Sequence, residues 1–261
     1  MKKIVISAVF LTTIVGTAGA VGLNLAWNNC IPSAGAAQDQ VFNCDDSSPG
    51  AMDANTNTFT MVASVIPGIN ITGLIAWGGT FDLQVANGTL DDWWKLAGSE
   101  CREGAVSFTF NGFTNTTTCN KQMMVTSPAP LPVANWGYPA DKPANWARYQ
   151  NGVARTTGFN VVSTTHYQLC VIAIDTHNTK VNGDGTTTAC AGCLDAGCVV
   201  FNEAELDVPA AQQPPDGKNI INAADTRQFV TWQGGAIGGA GCPLGVPVHR
   251  TSWGQVKSLY R

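Results

Sequence analysis

The chain has nine cysteines, and three of them crowd into Cys190-Ala-Gly-Cys-Leu-Asp-Ala-Gly-Cys198. With Cys242 further on, that spacing suits a tetrahedral zinc–thiolate site, a redox-active CxxC pair, or disulfides. A zinc site of this kind is signalled by two CxxC pairs, and here the second is missing. A redox pair belongs with a thioredoxin-like strand–helix–strand pattern, which the sequence does not show. Disulfides remain, with eight cysteines bridged and one left over. Loop length favours Cys30 with Cys44 and Cys101 with Cys119, each closure stabilising by about 3 kcal/mol through restriction of the unfolded chain. Cys190, Cys193, Cys198 and Cys242 then make two bridges among themselves. Cys170, inside Leu169-Cys-Val-Ile-Ala-Ile174, is the odd thiol, packed as a small hydrophobe.

Other chemistries leave weaker marks. Asp175, Asn178, Asn182 and Asp184 surround Asn182-Gly-Asp-Gly185, a loop with oxygens suited to calcium but without the spacing or terminal Glu of an EF-hand. An ordinary Asx-Gly turn explains it better; a structural calcium on Asp175, Asn182 and Asp184 is the one cofactor considered. No GxSxG, HExxH, P-loop or GxGxxG pattern occurs. His166, His177 and His249 are far apart. Glu203 and Glu205 share one face of a strand, side by side, so they do not flank a glycosidic bond. No catalytic residue is assigned.

Binding has better candidates. Pro132-Val-Ala-Asn-Trp136 and Pro143-Ala-Asn-Trp146 nearly repeat, with Tyr138 and Tyr149 beside them. Exposed Trp and Tyr rings stack on the apolar faces of sugars, so Trp136, Tyr138, Trp146 and Tyr149 form a candidate ligand surface. The alternative is that these rings fold back over the core.

The elements that must position these residues are strands. Apolar residues alternate over Val21–Trp27, Thr58–Ile66, Phe81–Val85 and Ala105–Phe113, which predicts strands with one buried face. Gly78-Gly79 marks a bend or bulge within Ile69–Val85. Leu90–Leu96 suits a helical turn with Asp91 and Asp92 at its start. The proline-rich stretch Pro128–Pro143 reads as a surface loop. Ala147–Val153 and Asn160–Ser163 are weaker strands. His166–Ile174 is apolar on both faces and central, Gly197–Val208 turns polar in its second half, and Arg227–Trp232 is the last strand. The cysteine-rich loop between the runs at His166–Ile174 and Gly197–Val208 makes a cross-linked corner. With no sustained helical period, the fold expected is all-β: a disulfide-stabilised antiparallel β-sandwich, jelly-roll or Ig-like, over residues 21–249. In the tail, 250–261, Trp253, Val256 and Tyr260 recur at i, i+3 and i+7, which predicts a short amphipathic helix.

Residues 1–20 read as a signal peptide, with Lys2 and Lys3, an apolar core from Ile4 to Val15 too short to span a bilayer, and Ala18-Gly-Ala20 for cleavage. Its removal takes the 14 basic residues to 12 against 18 acidic ones, and the net charge from −4 to −6. No basic patch exists, so nucleic acid is not an expected partner, and no second apolar run predicts a membrane span. Only 12% of residues are charged, which suits an extracellular β protein.

Five segments, Leu23-Asn-Leu-Ala-Trp27, Asp91-Asp-Trp-Trp94, Cys190-Ala-Gly-Cys193, Phe229-Val-Thr-Trp232 and the closing Trp253–Arg261, resemble an uncharacterised family of secreted bacterial proteins that end in such a tail. At fold level the strand pattern is similar to cohesin-like and carbohydrate-binding jelly rolls, which implies an architecture and no activity. The expectation is a secreted, non-catalytic module at the cell surface or outside the cell, with a polysaccharide or surface protein as partner. Alternatives are a hydrolase of an extracellular polymer and a self-assembling filament or coat subunit.

Overall fold

The computed structural model describes residues 22–30, 37–42, 44, 58–110, 119, 121–122, 131–176, 178–179, 189–209, 211, 219–221 and 228–235. The predicted leader, the tail helix, Asn182, Asp184, His177, His249 and Cys242 lie outside them.

In chain order the strands are β1 (Gly22–Trp27), β2 (Asp39–Gln40), β3 (Thr58–Ile66), β4 (Ile71–Val85), β5 (Val106–Thr109), β6 (Lys121–Gln122), β7 (Leu131–Gly137), β8 (Trp146–Val161), β9 (Tyr167–Asp175), β10 (Gly197–Asp207), β11 (Asn219–Ile221) and β12 (Phe229–Trp232). They form two sheets. The smaller runs β1-β3-β9-β5, with β6 also on β9; the larger runs β2-β12-β10-β4-β8-β7, with β11 on β10. Pairing is antiparallel except for β2 on β12 and β6 on β9. The fold is thus the disulfide-stabilised β-sandwich that the alternation predicts.

The inner faces meet in one core that takes Leu25, Met61, Leu169 and Ile172 from the smaller sheet and Trp77, Phe81, Phe201 and Leu206 from the larger. β9 lies between β3 and β5, as expected of a run apolar on both faces. β1 departs from expectation: both of its faces are buried, Asn24 included. A 3-10 turn, Asp92–Trp94, follows β4 and buries both tryptophans.

Three local readings are corrected. Leu131–Gly137 is a strand rather than loop, and it forms an edge of the larger sheet, where Pro132 needs no ladder partner on its open side. The weak strands around 147–163 are one continuous strand, β8. Gly78 and Gly79 sit in regular register, opposite Glu205 and Ala204; the irregularities fall instead in β10, between Phe201 and Glu203, and earlier in β4, between Ile71 and Ala76 where it pairs with β8.

The bridges differ from the short-loop pairings. Cys30 joins Cys119, Cys44 joins Cys193 and Cys101 joins Cys190, with sequence separations of 89, 149 and 89. Cys198 is disulfide-bonded as well, so Cys190 and Cys193 bond to distant segments and not within their own loop. Among the described residues Cys170 is the free cysteine, fully buried, where burial pushes its thiol up to about 12 and the Asn151 amide donates to it.

Candidate functional site

The pleat of β8 decides what the four aromatic candidates do. Tyr149 is only 5% exposed and lies between the sheets, its ring 3.9 Å from that of Phe108 and 5.9 Å from that of Phe81. Burial pushes its phenol well above the usual range. Trp136 pairs with Tyr149 across β7 and β8, so it shares that inner face, at the sheet's edge. Its indole Nε1 donates to the Tyr138 hydroxyl at 3.4 Å, and that hydroxyl donates to Glu100 at 2.5 Å. Trp146 stands three residues before Tyr149 and therefore on the opposite, outer face, with the Lys142 ammonium 4.8 Å from its ring centroid. The two near-repeats put their tryptophans on opposite sides of one sheet, so the four rings form no common platform.

The outer face carries something else. Where β10, β4 and β8 run side by side, three rows cross the sheet: Glu203–Thr80–Gln150, Glu205–Gly78–Gly152 and Asp207–Ala76–Ala154. Each row starts with a carboxylate and continues over small or polar residues, so the sheet sinks between its strands. The resulting open groove holds about 310 Å³. Its floor needs at least one glycine: a Cβ on Gly78 would lie 2.5 Å from the Asn151 carbonyl oxygen. At Gly152 a Cβ would make only ordinary contacts, the nearest at 3.6 Å.

The bulge in β10 makes this wall. Phe201 points inward, and strict alternation from it would send Glu203 and Glu205 into the core. Asn202 is the extra residue, and it shifts the phase so that Ala204 and Leu206 pack inward while Glu203, Glu205 and Asp207 face out. At the next row, Asp82 is held by both arms of Arg148, Nε to Oδ1 at 2.7 Å and Nη2 to Oδ2 at 2.9 Å. Hydrogen bonding to Asp82 raises the Arg148 guanidinium still further above neutrality. That ion pair lies one row beyond Glu203–Thr80–Gln150, outside the lining of the groove.

The cysteine loop serves structure. Cys190 and Cys193 flank a tryptophan cluster in which the Trp232 ring lies 5.1 Å from Trp93, 5.9 Å from Trp94 and 6.0 Å from Trp27. Trp232 Nε1 donates to the Cys193 carbonyl at 2.9 Å. Four of the five segments quoted for the family resemblance thus converge on one packed spot. His166 is buried, with its Nε2 2.8 Å from Ser64 Oγ, and burial lowers it to about 4. Asp175 ends β9, its carbonyl taken by Arg102. No group of three or more His, Cys, Asp or Glu side chains suited to a metal occurs among the described residues.

The chain matches no family model, no curated protein and no solved structure.

Sequence reasoning placed Glu203 and Glu205 on one face and stopped there. The signal it passed over was the string Glu203-Ala-Glu-Leu-Asp207, alternating acid and apolar, together with glycines at 78 and 152 whose shared row only the register reveals. The bridges point to an oxidising compartment, and among the described residues no helix is long and apolar enough to cross a membrane.

Proposed function

We propose that this chain is a secreted β-sandwich binding module that holds an extracellular polysaccharide in the groove on the outer face of its larger sheet. The observation that carries this reading is the groove itself, about 310 Å³ in size, floored by Gly78, Gly152 and Ala76 and walled by Glu203, Glu205 and Asp207. Carboxylates, the Gln150 amide and the Thr80 hydroxyl are the groups that pair with sugar hydroxyls, and a glycine floor lets a ring approach the backbone. The leader read in residues 1–20 and the disulfides support export.

Binding suits the site better than hydrolysis. All three carboxylates of the groove come from β10 and stand on one side, about 7 Å apart along the strand. A hydrolase needs its acid and its base or nucleophile on opposite sides of the bond. Self-assembly through a strand edge is less favoured at β7, because Pro132 blunts that edge.

A glycan-array screen of the mature protein beside its Gly152→Trp and Trp136→Ala variants tests the proposal. The parent is expected to retain at least one class of polysaccharide, Gly152→Trp to lose it by about tenfold or more, and Trp136→Ala to keep it. An array blank for the parent, or undiminished binding by Gly152→Trp, would overturn it.

A further inference from the structure

Away from the groove, two carboxyl groups meet where the cysteine loop lies on the 3-10 turn. Asp91 precedes that turn and Asp195 belongs to the loop. Gly192 fits between them: a Cβ there would lie 2.4 Å from the Asp91 Cβ and 2.9 Å from Asp195 Oδ2, and the residue has φ +107°. The Trp93 amide donates to the Ala191 carbonyl at 2.7 Å, and the Asp195 amide to the Gly192 carbonyl at 3.1 Å, so neither carboxyl can swing away freely. Disulfides from Cys190 to Cys101 and from Cys193 to Cys44 pin the loop from two sides.

The hydrogen bonds of this contact are short of one proton. The Asn87 amide donates to Asp91 Oδ2 at 3.0 Å. Asp195 Oδ2 is buried from solvent and has no donor. The Asp91 carboxyl faces it across Gly192, where one Cβ position lies 2.9 Å from Asp195 Oδ2 and 3.4 Å from Asp91 Cγ, and two ionised carboxylates cannot hydrogen-bond each other. We infer that Asp91 and Asp195 share one proton, forming an acid-tightened clasp between the cysteine loop and the 3-10 turn that loosens as that proton is lost towards neutral pH.

Independent support comes from acidity. Burial, then the hydrogen bond and charge of Asp91, raise the Asp195 carboxyl from 3.8 to about 6, opposed by the Asn87 amide. A carboxyl raised in the folded state stabilises the fold fully below 3.8, and that stabilisation is lost as pH climbs through about 6. The groups facing Asp195 are Asp91 and Asn87. Of the other charges nearby, Asp92 is bonded to Lys95 at 2.6 Å and the Arg102 guanidinium stacks on Trp93. His166 works in the opposite sense: lowered from 6.5 to about 4, it weakens the fold as pH falls through that interval. The two contributions overlap, so the clasp is read from a difference between variants.

The experiment compares melting temperatures of the mature protein and its Asp195→Asn variant from pH 4.5 to 7.5. The amide of the variant supplies a permanent donor to Asp91. The variant is expected to match the parent at pH 4.5 and to melt about 3 °C higher at pH 7.5. A difference that is the same at every pH would overturn the clasp. Carbon-13 carboxyl titration of the unmodified protein gives a reading free of folding defects. One aspartate should titrate near pH 6, and all midpoints below about 5 would overturn the proposal whatever the variant does.

Discussion

Arg102 sets a cation in the middle of aromatic rings. It is wholly buried, its guanidinium 3.8 Å from the Trp93 ring centroid, with Nη1 donating to the Trp93 carbonyl at 3.0 Å and Nη2 to the Asp175 carbonyl. A methionine of similar length keeps the packing but strands both carbonyls and removes the cation–π contact. Arg102→Met should therefore lower stability by about 3 kcal/mol, measured as a shift in urea midpoint at unchanged slope. No pattern in Cys101-Arg-Glu-Gly104 announces a buried arginine, because its partners are backbone carbonyls far along the chain. Cys170 was legible for the contrary reason: an apolar run on both sides left its thiol nowhere to go but inward. For Tyr149 and Trp136 the sequence leaves a ligand surface and rings folded back on the core both open, because adjacency in a proline-rich stretch says nothing of which face of a sheet a ring will take.

Among the elements, β10 shows how much one inserted residue controls. Its alternation was readable in the sequence, and so was its polar second half; the phase between the halves was not, since a bulge costs one residue and leaves no signature beyond Asn202 itself. Deleting Asn202 would join Glu203 directly to Phe201, whose partners Thr80 and Phe81 are already adjacent, so Ala204 and Leu206 would stay inward and Glu203, Glu205 and Asp207 outward in an unbulged strand. Burying even one unpaired carboxylate costs several kcal/mol, which is why strict alternation through Asn202 is avoided; the deletion variant buries none and is expected to keep cooperative thermal unfolding by near-ultraviolet circular dichroism. A deletion variant without a cooperative melt would mean that Asn202 is not the extra residue and that the bulge does not set the groove wall. The edge strand β7 tells a related story. Proline argued for a loop, yet an edge position accepts Pro132 because only one side of the strand has hydrogen bonds to make.

For the molecule as a whole, the all-β sandwich was legible from strand spacing and composition, and the disulfide pairing was not. Preferring short loops weighs chain entropy alone, yet each doubling of loop length adds only about 0.6 kcal/mol. The pairing is therefore set by where the sheets bring cysteines together. Cys30 and Cys119 meet against Val62 and Val171 on the outside of the smaller sheet. Cys44 and Cys101 come from distant parts of the chain to bond Cys193 and Cys190 of the cysteine loop. A frame tied at that corner leaves the outer face of the larger sheet, with its glycine-floored groove, as the surface proposed to hold a polysaccharide. Hydrogen–deuterium exchange of the mature protein with and without the polysaccharide that it retains best tests this directly. Slowed exchange is predicted in Ala76–Thr80, Gln150–Ala154 and Glu203–Asp207 together; protection confined to Leu131–Gly137, or none at saturating polysaccharide, would contradict it.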